Sequence, residues 1–260
     1  MTLKTWIGNF GMLIISTLLI VSCSPKYKIA SKSEPITHEI WDSLLKKHIT
    51  DEGLVNYKGF QEDRKKLDTY LQKLSVHHPN DKNWSQKEQL VYWMNAYNAF
   101  TIQLILDHYP LESIKDVVSG PSIAFISSPW DIKFIDIEGA KYDLGNIEHN
   151  FLRKRFEEPR IHFGINCASI SCPNLPQFAF TVEKVDEQLD ELARLFINDS
   201  SKNKINADKI EISKIFNWFG GDFKTNGTLI EYLNQYSKTK INTDAKVSHL
   251  DYDWNLNEAK

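Results

Sequence analysis

Residues capable of chemistry are concentrated between Arg160 and Pro173, in the order Arg-Ile-His-Phe-Gly-Ile-Asn-Cys-Ala-Ser-Ile-Ser-Cys-Pro. From Ile161 to Asn166, apolar residues alternate with polar or small ones, a pattern that predicts a strand with one apolar and one polar face. Cys167 and Cys172 follow in a polar loop. The stretch is therefore predicted to be either a reaction centre or a loop closed by a covalent bond.

Cys167 is a candidate nucleophile, because a thiol attacks carbonyl groups when its pKa is lowered and a base lies within hydrogen-bond reach. His149 and His162 are the candidate bases, and one of them could be oriented by Glu148, Asn166, Asn95 or Asn98. This set would suit a thiol-dependent hydrolase or acyl transferase that acts on an amide or peptide-like substrate.

The same residues allow two other interpretations. Cys167 and Cys172 are separated by four residues, so a disulfide between them would close a small loop. The chain also offers zinc-ligand types here, namely Glu148, His149, His162, Cys167 and Cys172, but no H-x-x-x-H or C-x-x-C spacing supports a metal site. The sequence therefore predicts no metal and no cofactor, and leaves the choice between a free thiol and a disulfide open.

The N-terminal segment is typical of a secretory signal peptide over residues 1–22. Lys4 is the only charged residue before an apolar run from Phe10 to Val21. That run is about half of the roughly 20 residues that a membrane-spanning helix needs. We expect the mature protein to lack this segment.

The residues Ile20-Val21-Ser22-Cys23 resemble the lipobox of bacterial lipoproteins, in which a small residue precedes a cysteine that becomes lipidated after cleavage. The resemblance implies a lipid anchor on Cys23, followed by a flexible tether to residue 36. Ser24 after this cysteine implies the outer membrane, with the domain facing the periplasm. The membrane is thus an expected partner, and an oxidising periplasm favours pairing of the two remaining thiols.

Length and composition indicate one globular domain over residues 37–260. The chain has 42% hydrophobic and 12% aromatic residues, enough for a sizeable core. Its formal charge of -3 is spread without a basic block, which argues against a nucleic-acid partner. A small-molecule or peptide ligand is compatible with this composition, but the sequence does not identify one.

The clearest element is a helix from Ser85 to His108. Ser85 and Glu88 form a capping box at its start. Apolar residues cover most of its circumference, which predicts a buried central helix. Asn95 and Asn98 fall within this apolar surface, and a buried amide without partners costs roughly 1–3 kcal/mol. We expect these two amides, with Asn166 and Ser169, to bind substrate or to polarise it.

Other patterns predict an α+β fold, with helices around a small, mostly antiparallel sheet. Residues 132–144 and 204–212 are predicted to form hairpins, and residues 181–197 an amphipathic helix. Asp143 is a candidate cap for a helix over residues 144–156, which would carry Glu148 and His149.

Four blocks of this sequence resemble the bacterial and plant family called domain of unknown function 547. The resemblance spans roughly residues 84–236, and the blocks are Trp93-Met-Asn-Ala-Tyr-Asn-Ala99, Leu144-Gly-Asn-Ile-Glu-His149, Arg160 to Pro173, and Phe216-Asn-Trp-Phe-Gly-Gly-Asp-Phe223. It implies a distant likeness to papain-like and transglutaminase-like folds, which place a catalytic cysteine at the start of a buried helix. Here the buried helix carries Asn95 and Asn98, so the thiol would come from Cys167 or the chain would be a non-catalytic relative.

We therefore expect one polar pocket to which Asn95, Asn98, Glu148, His149, His162, Asn166 and Cys167 all contribute. The simplest functional hypothesis is a non-catalytic binding or envelope-interaction module with an oxidised cysteine pair. The alternative is the thiol-dependent hydrolase or acyl transferase.

Overall fold

The computed structural model describes residues 31–118 and 128–260. The predicted signal peptide, the predicted lipidation site Cys23 and the first part of the tether lie outside the described residues. The helices are α1 (Glu39–His48), α2 (Tyr57–Glu62), α3 (Arg64–Ser75), α4 (Gln86–His108), α5 (Arg153–Arg155), α6 (Ile161–Gly164), α7 (Val185–Asn198), α8 (Ile215–Trp218) and α9 (Leu229–Leu233). Short 3₁₀ turns span Ile114–Val118, Pro129–Asp131 and Asp222–Lys224, and a π-helix spans Asn146–Leu152.

Helix α4 is the buried centre of the domain, as the sequence predicts. The Ser85 hydroxyl accepts a hydrogen bond from the Glu88 backbone N–H at 3.2 Å, and the Glu88 carboxylate accepts one from the Ser85 N–H at 2.6 Å. Both halves of the capping box are therefore present. The helix is buried along almost its whole length and packs against α2, α3 and the π-helix.

Residues 31–36, predicted to be part of a flexible tether, lie against the domain. The Ser33 hydroxyl donates to the His78 carbonyl at 2.5 Å, and the Trp84 indole N–H donates to the Ser33 carbonyl at 2.9 Å. Ile36 packs against the core. The globular unit thus begins before residue 37, because these residues find hydrogen-bond and apolar partners on the surface near the start of α4.

Two small sheets complete an α+β fold, which confirms the predicted class. Strands β1 (Ile135–Ile137) and β2 (Ala140–Tyr142) form an antiparallel hairpin, whose turn at Glu138 and Gly139 has positive φ at both residues. Strands β3 (Lys204–Ile205), β4 (Lys209–Ile212) and β5 (Lys246–His249) form the second sheet. Strand β5 runs parallel to β4, so this sheet is mixed.

The strand predicted over residues 161–166 is wrong, because this segment forms the helical turn α6. Its backbone N–H groups bond three or four residues back, as in the bond from Ile165 to the Ile161 carbonyl at 3.1 Å. Ile161 and the three residues after it are all buried, so the alternation of residue types does not separate two faces. A Cβ on Gly164 would lie 2.4 Å from Met94 Cε and 2.8 Å from Phe180 Cζ. Close packing between α4 and the segment before α7 therefore determines the local conformation.

None of the helices in residues 31–118 and 128–260 has the length and apolar character that crossing a membrane requires.

Candidate active site

The π-helix places Glu148 and His149 at the edge of a cavity. Its wider turn is defined by a bond from the Arg153 N–H to the Glu148 carbonyl, five residues back. The Asp143 carboxylate accepts a hydrogen bond from the Asn146 N–H at 2.5 Å, which confirms the predicted cap. The Glu148 side chain is buried, whereas His149 is exposed. Such π-turns are rare and often occur at functional sites.

The cavity has a volume of about 340 Å³ and brings together the four residues that the sequence predicts to be catalytic. Glu148, His149, His162 and Cys167 all line it. Much of the remaining wall is aromatic and consists of Tyr97, Trp130, Trp218, Phe219, Tyr252 and Trp254. This mixture of apolar walls and a few polar groups is typical of small-molecule sites.

Residues 252–257 supply one wall because they run antiparallel to the loop that contains Cys167. The N–H of Ile170 donates to the Asn255 carbonyl at 2.9 Å, and the N–H of Ser171 donates to the Asp253 carbonyl at 3.1 Å. This pairing places the Tyr252 hydroxyl 3.3 Å from the sulfur of Cys167.

Cys167 has an environment that favours its thiolate. Hydrogen bonding to Cys172, and then to Ser169 and Tyr252, lowers the pKa of the Cys167 thiol, although burial opposes this effect. The Ser169 hydroxyl lies 3.3 Å from its sulfur. Burial raises the pKa of the Cys172 thiol well above its usual value. Cys167 is therefore the thiol that ionises first and the better nucleophile of the two.

Both cysteines are free thiols in the structure, so the predicted disulfide is not formed there. The Cys172 sulfur instead accepts a hydrogen bond from the Cys167 backbone N–H at 2.9 Å. Ala168, between them, has a φ of 60°, which is unusual for a residue with a Cβ. Formation of the disulfide in an oxidising compartment stays a prediction.

Glu148 is the second group with a perturbed proton affinity. Burial, and then the negative charge of Cys167, raise its pKa to about 7. The Tyr97 hydroxyl donates to the carboxylate at 3.4 Å and itself accepts a hydrogen bond from the Trp130 indole at 3.1 Å. A carboxyl group with a pKa near 7 can both give and take a proton at neutral pH, which suits a general acid and base.

The two imidazoles are connected by an ion pair that was not predicted. The guanidinium of Arg153 donates to both oxygens of Asp222, at 2.6 and 2.9 Å. His162 Nε2 lies 2.8 Å from Asp222, and Arg153 also donates to His149 Nδ1 at 3.0 Å. The ring of His162 stacks on Phe219 with centroids 4.1 Å apart. Among the described residues, neither imidazole is hydrogen-bonded to the sulfur of Cys167.

Asn95 and Asn98 do not line this cavity and instead hold crossing segments of backbone. The Asn98 amide donates to the Gly164 carbonyl at 2.9 Å and accepts from the Asn166 N–H at 2.9 Å. The Asn95 amide exchanges two hydrogen bonds of 3.0 Å with the backbone of Phe180. In both side chains the amide nitrogen and the amide oxygen each have a hydrogen-bond partner, because a buried polar group left without one is costly. The structure places both amides on backbone in the core, outside the cavity, and their role in substrate binding stays a prediction.

Asn166 and Ser169 shape the loop that carries the thiol. The Asn166 amide donates to the Pro173 carbonyl at 2.7 Å and accepts from the Ala168 N–H at 2.8 Å. Asn166 is thus also absent from the cavity with the thiol, whereas Ser169 contacts the sulfur of Cys167 directly.

Sequence reasoning missed several residues of the site. Asp222 and Tyr97 lie within blocks that carry the family resemblance, and this was a signal that could have identified them. Tyr252 and Trp254 lie in a C-terminal segment that pairs with the Cys167 loop. No local sequence pattern predicts this long-range pairing. Within the described ranges, no group of three or more His, Cys, Asp or Glu side chains could hold a metal ion.

Comparison with known families places part of the chain in a family. A family model described as "Protein of unknown function, DUF547" matches residues 82–197. This range contains α4, the π-helix and the Cys167 loop, and it supports the assignment of this segment to that domain family. The comparison with curated proteins found no match, and the comparison with solved structures also found none.

Proposed function

We propose that this chain, with its DUF547-family segment, is a thiol-dependent hydrolase or acyl transferase that acts on an amide or peptide-like substrate. One observation carries the proposal: Cys167, a thiol with a lowered pKa, shares an aromatic-walled cavity with Glu148, a carboxyl group with a pKa near 7. Perturbed and matched proton affinities within one cleft are characteristic of active sites.

The reaction proceeds in two balanced stages. The Cys167 thiolate attacks the carbonyl carbon of the amide, and the C–N bond breaks as the Glu148 carboxyl proton passes to the departing nitrogen. The products of this stage are a thioester, an amine and the Glu148 carboxylate. That carboxylate then removes a proton from water or from an acceptor nucleophile, which attacks the thioester and releases the thiolate.

The test uses the reduced full chain and the activated ester p-nitrophenyl acetate. We expect more than one equivalent of nitrophenolate per chain and an acetyl group that peptide mapping places on Cys167. Cys167→Ser should abolish both signals. Glu148→Gln should slow release of the acetyl group, because the variant cannot deprotonate the attacking water.

Cys172→Ser is the matched control, since it removes the neighbouring thiol but keeps a hydroxyl that can hydrogen-bond to Cys167, so the acetyl-enzyme should still form. Equal nitrophenolate release by the parent and Cys167→Ser, or acetylation confined to lysines, would overturn the proposal.

The aromatic wall favours a second candidate, the non-catalytic binding module. Trp218, Tyr252 and Trp254 pack against one another, with the Tyr252 and Trp254 ring centroids 4.5 Å apart, and offer apolar area to a ligand. For this function, binding of the apolar dye anilinonaphthalene sulfonate should be lost in Trp254→Ala and kept in Cys167→Ser. Retention of binding by Trp254→Ala would reject this candidate.

We also propose that the protein is a lipoprotein whose domain faces the periplasm from the outer membrane. The lipobox-like Ile20 to Cys23 segment supports this placement. Labelled palmitate should be incorporated into the full chain and not into Cys23→Ala. Equal labelling of the two would exclude Cys23 as the anchor.

A further inference from the structure

The contacts of His149 determine which of its ring nitrogens carries a proton. Arg153 lies 3.0 Å from Nδ1, and a guanidinium can only donate hydrogen bonds. Nδ1 must therefore hold a lone pair, and a neutral His149 carries its proton on Nε2. Nε2 is then the ring nitrogen that has a proton to donate, and His149 lines the cavity.

Asp222 keeps Arg153 in this position. Its two oxygens accept from the guanidinium at 2.6 and 2.9 Å, a bidentate geometry that fixes the plane of the arginine as well as its place. One of these oxygens is also 2.8 Å from His162 Nε2, so His162 packs against the far side of the same ion pair. A chain of hydrogen bonds thus runs from the buried His162 to the exposed His149.

We infer that His149 is a neutral hydrogen-bond donor, whose Nε2–H binds an oxygen atom of the ligand in the cavity, and that Arg153 and Asp222 are the positioning residues that fix this tautomer. The ligand oxygen would be the carbonyl oxygen of an acyl group, which becomes more negative as Cys167 attacks. This role rests on the proposed function, in which Glu148 is the group that gives and takes the proton. His149 is thereby removed from the candidate bases.

The charges around His149 agree with a neutral ring. Burial, and then the charge of Arg153, lower its pKa, and Lys154 acts in the same direction. Asp222 and Asp143 oppose them, and His162 lies on the other side of the ion pair. Protonation would also place an N–H at Nδ1 against the guanidinium. An oxygen that gains negative charge is stabilised by a donor aimed at it in advance, an effect worth about 10²–10³ in rate for a single donor.

The first experiment measures the tautomer directly. Long-range ¹H–¹⁵N spectra of the full chain, from about pH 5 to pH 8, should show a neutral His149 with its proton on Nε2. Arg153→Gln should raise the pKa of His149 and mix the two tautomers. Lys154→Gln is the matched control: it removes the same charge from the same turn and leaves the Nδ1 contact intact, so the tautomer should not change. A protonated His149 at neutral pH, or a proton on Nδ1 in the parent, overturns the inference.

The second experiment compares two substitutions of His149 in the p-nitrophenyl acetate assay. His149→Gln keeps an N–H donor on a side chain of similar reach, and His149→Ala removes it. We expect kcat to fall about 10²-fold in the alanine variant and much less in the glutamine variant. Equal losses in both variants would overturn the donor role.

The two experiments separate the inference from the proposed function. A parent that forms no acetyl-enzyme refutes the thiol chemistry, whereas the ¹⁵N spectra decide the tautomer without any substrate. If the parent turns over p-nitrophenyl acetate but carries the His149 proton on Nδ1, the inference is refuted and the proposed function is not.

Discussion

Replacement of Glu148 by glutamine should stabilise the folded protein while it impairs turnover. Glu148 is 6% exposed, and its pKa is raised from 4.5 to about 7, first by burial and then by the charge of Cys167. Glutamine has the shape of the protonated acid and can still accept the hydrogen bond from Tyr97. It lacks the carboxylate whose burial is costly.

The magnitude follows from linkage between protonation and folding. Well below pH 4.5, Glu148 is protonated in both the folded and the unfolded state, so its ionisation does not affect the free energy of unfolding. As the pH rises towards 7, the unfolded chain releases this proton while the folded protein keeps it, so the free energy of unfolding falls. Above pH 7 the loss levels off at about 3 kcal/mol, since each pKa unit is worth 1.36 kcal/mol.

Urea unfolding of the reduced protein at about pH 5 and pH 8 measures this effect. We expect Glu148→Gln to exceed the free energy of unfolding of the parent by less than about 1 kcal/mol at the lower pH and by up to about 3 kcal/mol at the higher one. The comparison is repeated in a Cys167→Ser background, because ionisation of this thiol also changes with pH. Glu187→Gln on the exposed surface of α7 is the control, and we expect less than about 0.5 kcal/mol at either pH.

Parallel pH profiles for the parent and Glu148→Gln, in both cysteine backgrounds, would refute this reasoning. That result would mean that water reaches the carboxylate and that Glu148 has an ordinary proton affinity. The acid and base role in the proposed reaction would then lose its physical basis.

Three further outcomes are expected. Alkylation of Cys167 by iodoacetamide should reach half of its maximum rate at a lower pH than alkylation of an ordinary thiol, because the pKa of Cys167 is lowered. Mass spectrometry of the alkylated peptide at several pH values measures this rate. A half-maximal rate at the pH of an ordinary thiol would argue against the lowered pKa. Asn98→Ala should lower the free energy of unfolding in urea by about 2–4 kcal/mol, since it leaves the Gly164 carbonyl and the Asn166 N–H unpaired. A loss below about 1 kcal/mol would show that water replaces the amide. Gly164→Ala should cost about 1–3 kcal/mol through the clash with Met94, and an unchanged melting temperature would mean that α6 shifts freely.

Local sequence patterns predict the elements of this fold where the pattern and the packing agree. The capping box at Ser85 and the apolar circumference that follows it predict α4, because both effects act within a few residues. The turn at Glu138 and Gly139 is predictable for the same reason, since the backbone conformation needed there favours glycine.

The segment from Ile161 to Asn166 shows where local patterns fail. Its alternation is a strand pattern, yet the segment is buried and, within residues 31–118 and 128–260, pairs with no strand. Asn98 takes up the Gly164 carbonyl and the Asn166 N–H, so the backbone is satisfied without a sheet. A long-range partner thus overrides the local preference.

The candidate site was predictable in its chemistry but not in its geometry. Cys167, Glu148, His149 and His162 are of reactive types, and the structure gathers them around one cavity. The ion pair of Arg153 with Asp222 joins residues 69 positions apart, and nothing in the local sequence indicates it. The backbone contacts of Asn95 and Asn98 were not predictable, because an amide is equally suited to bind a ligand or to hydrogen-bond to backbone.

The antiparallel pairing of residues 252–257 with the Cys167 loop makes the reactivity of the thiol a property of the assembled fold. The Tyr252 hydroxyl reaches the sulfur only when this segment has docked, and it is one of the groups that lower the pKa of the thiol. A folding intermediate that lacks this docking exposes a cysteine with weaker acidity and no aromatic wall beside it. Docking of the segment therefore adds the Tyr252 hydrogen bond and the aromatic wall to the thiol in a single step of assembly.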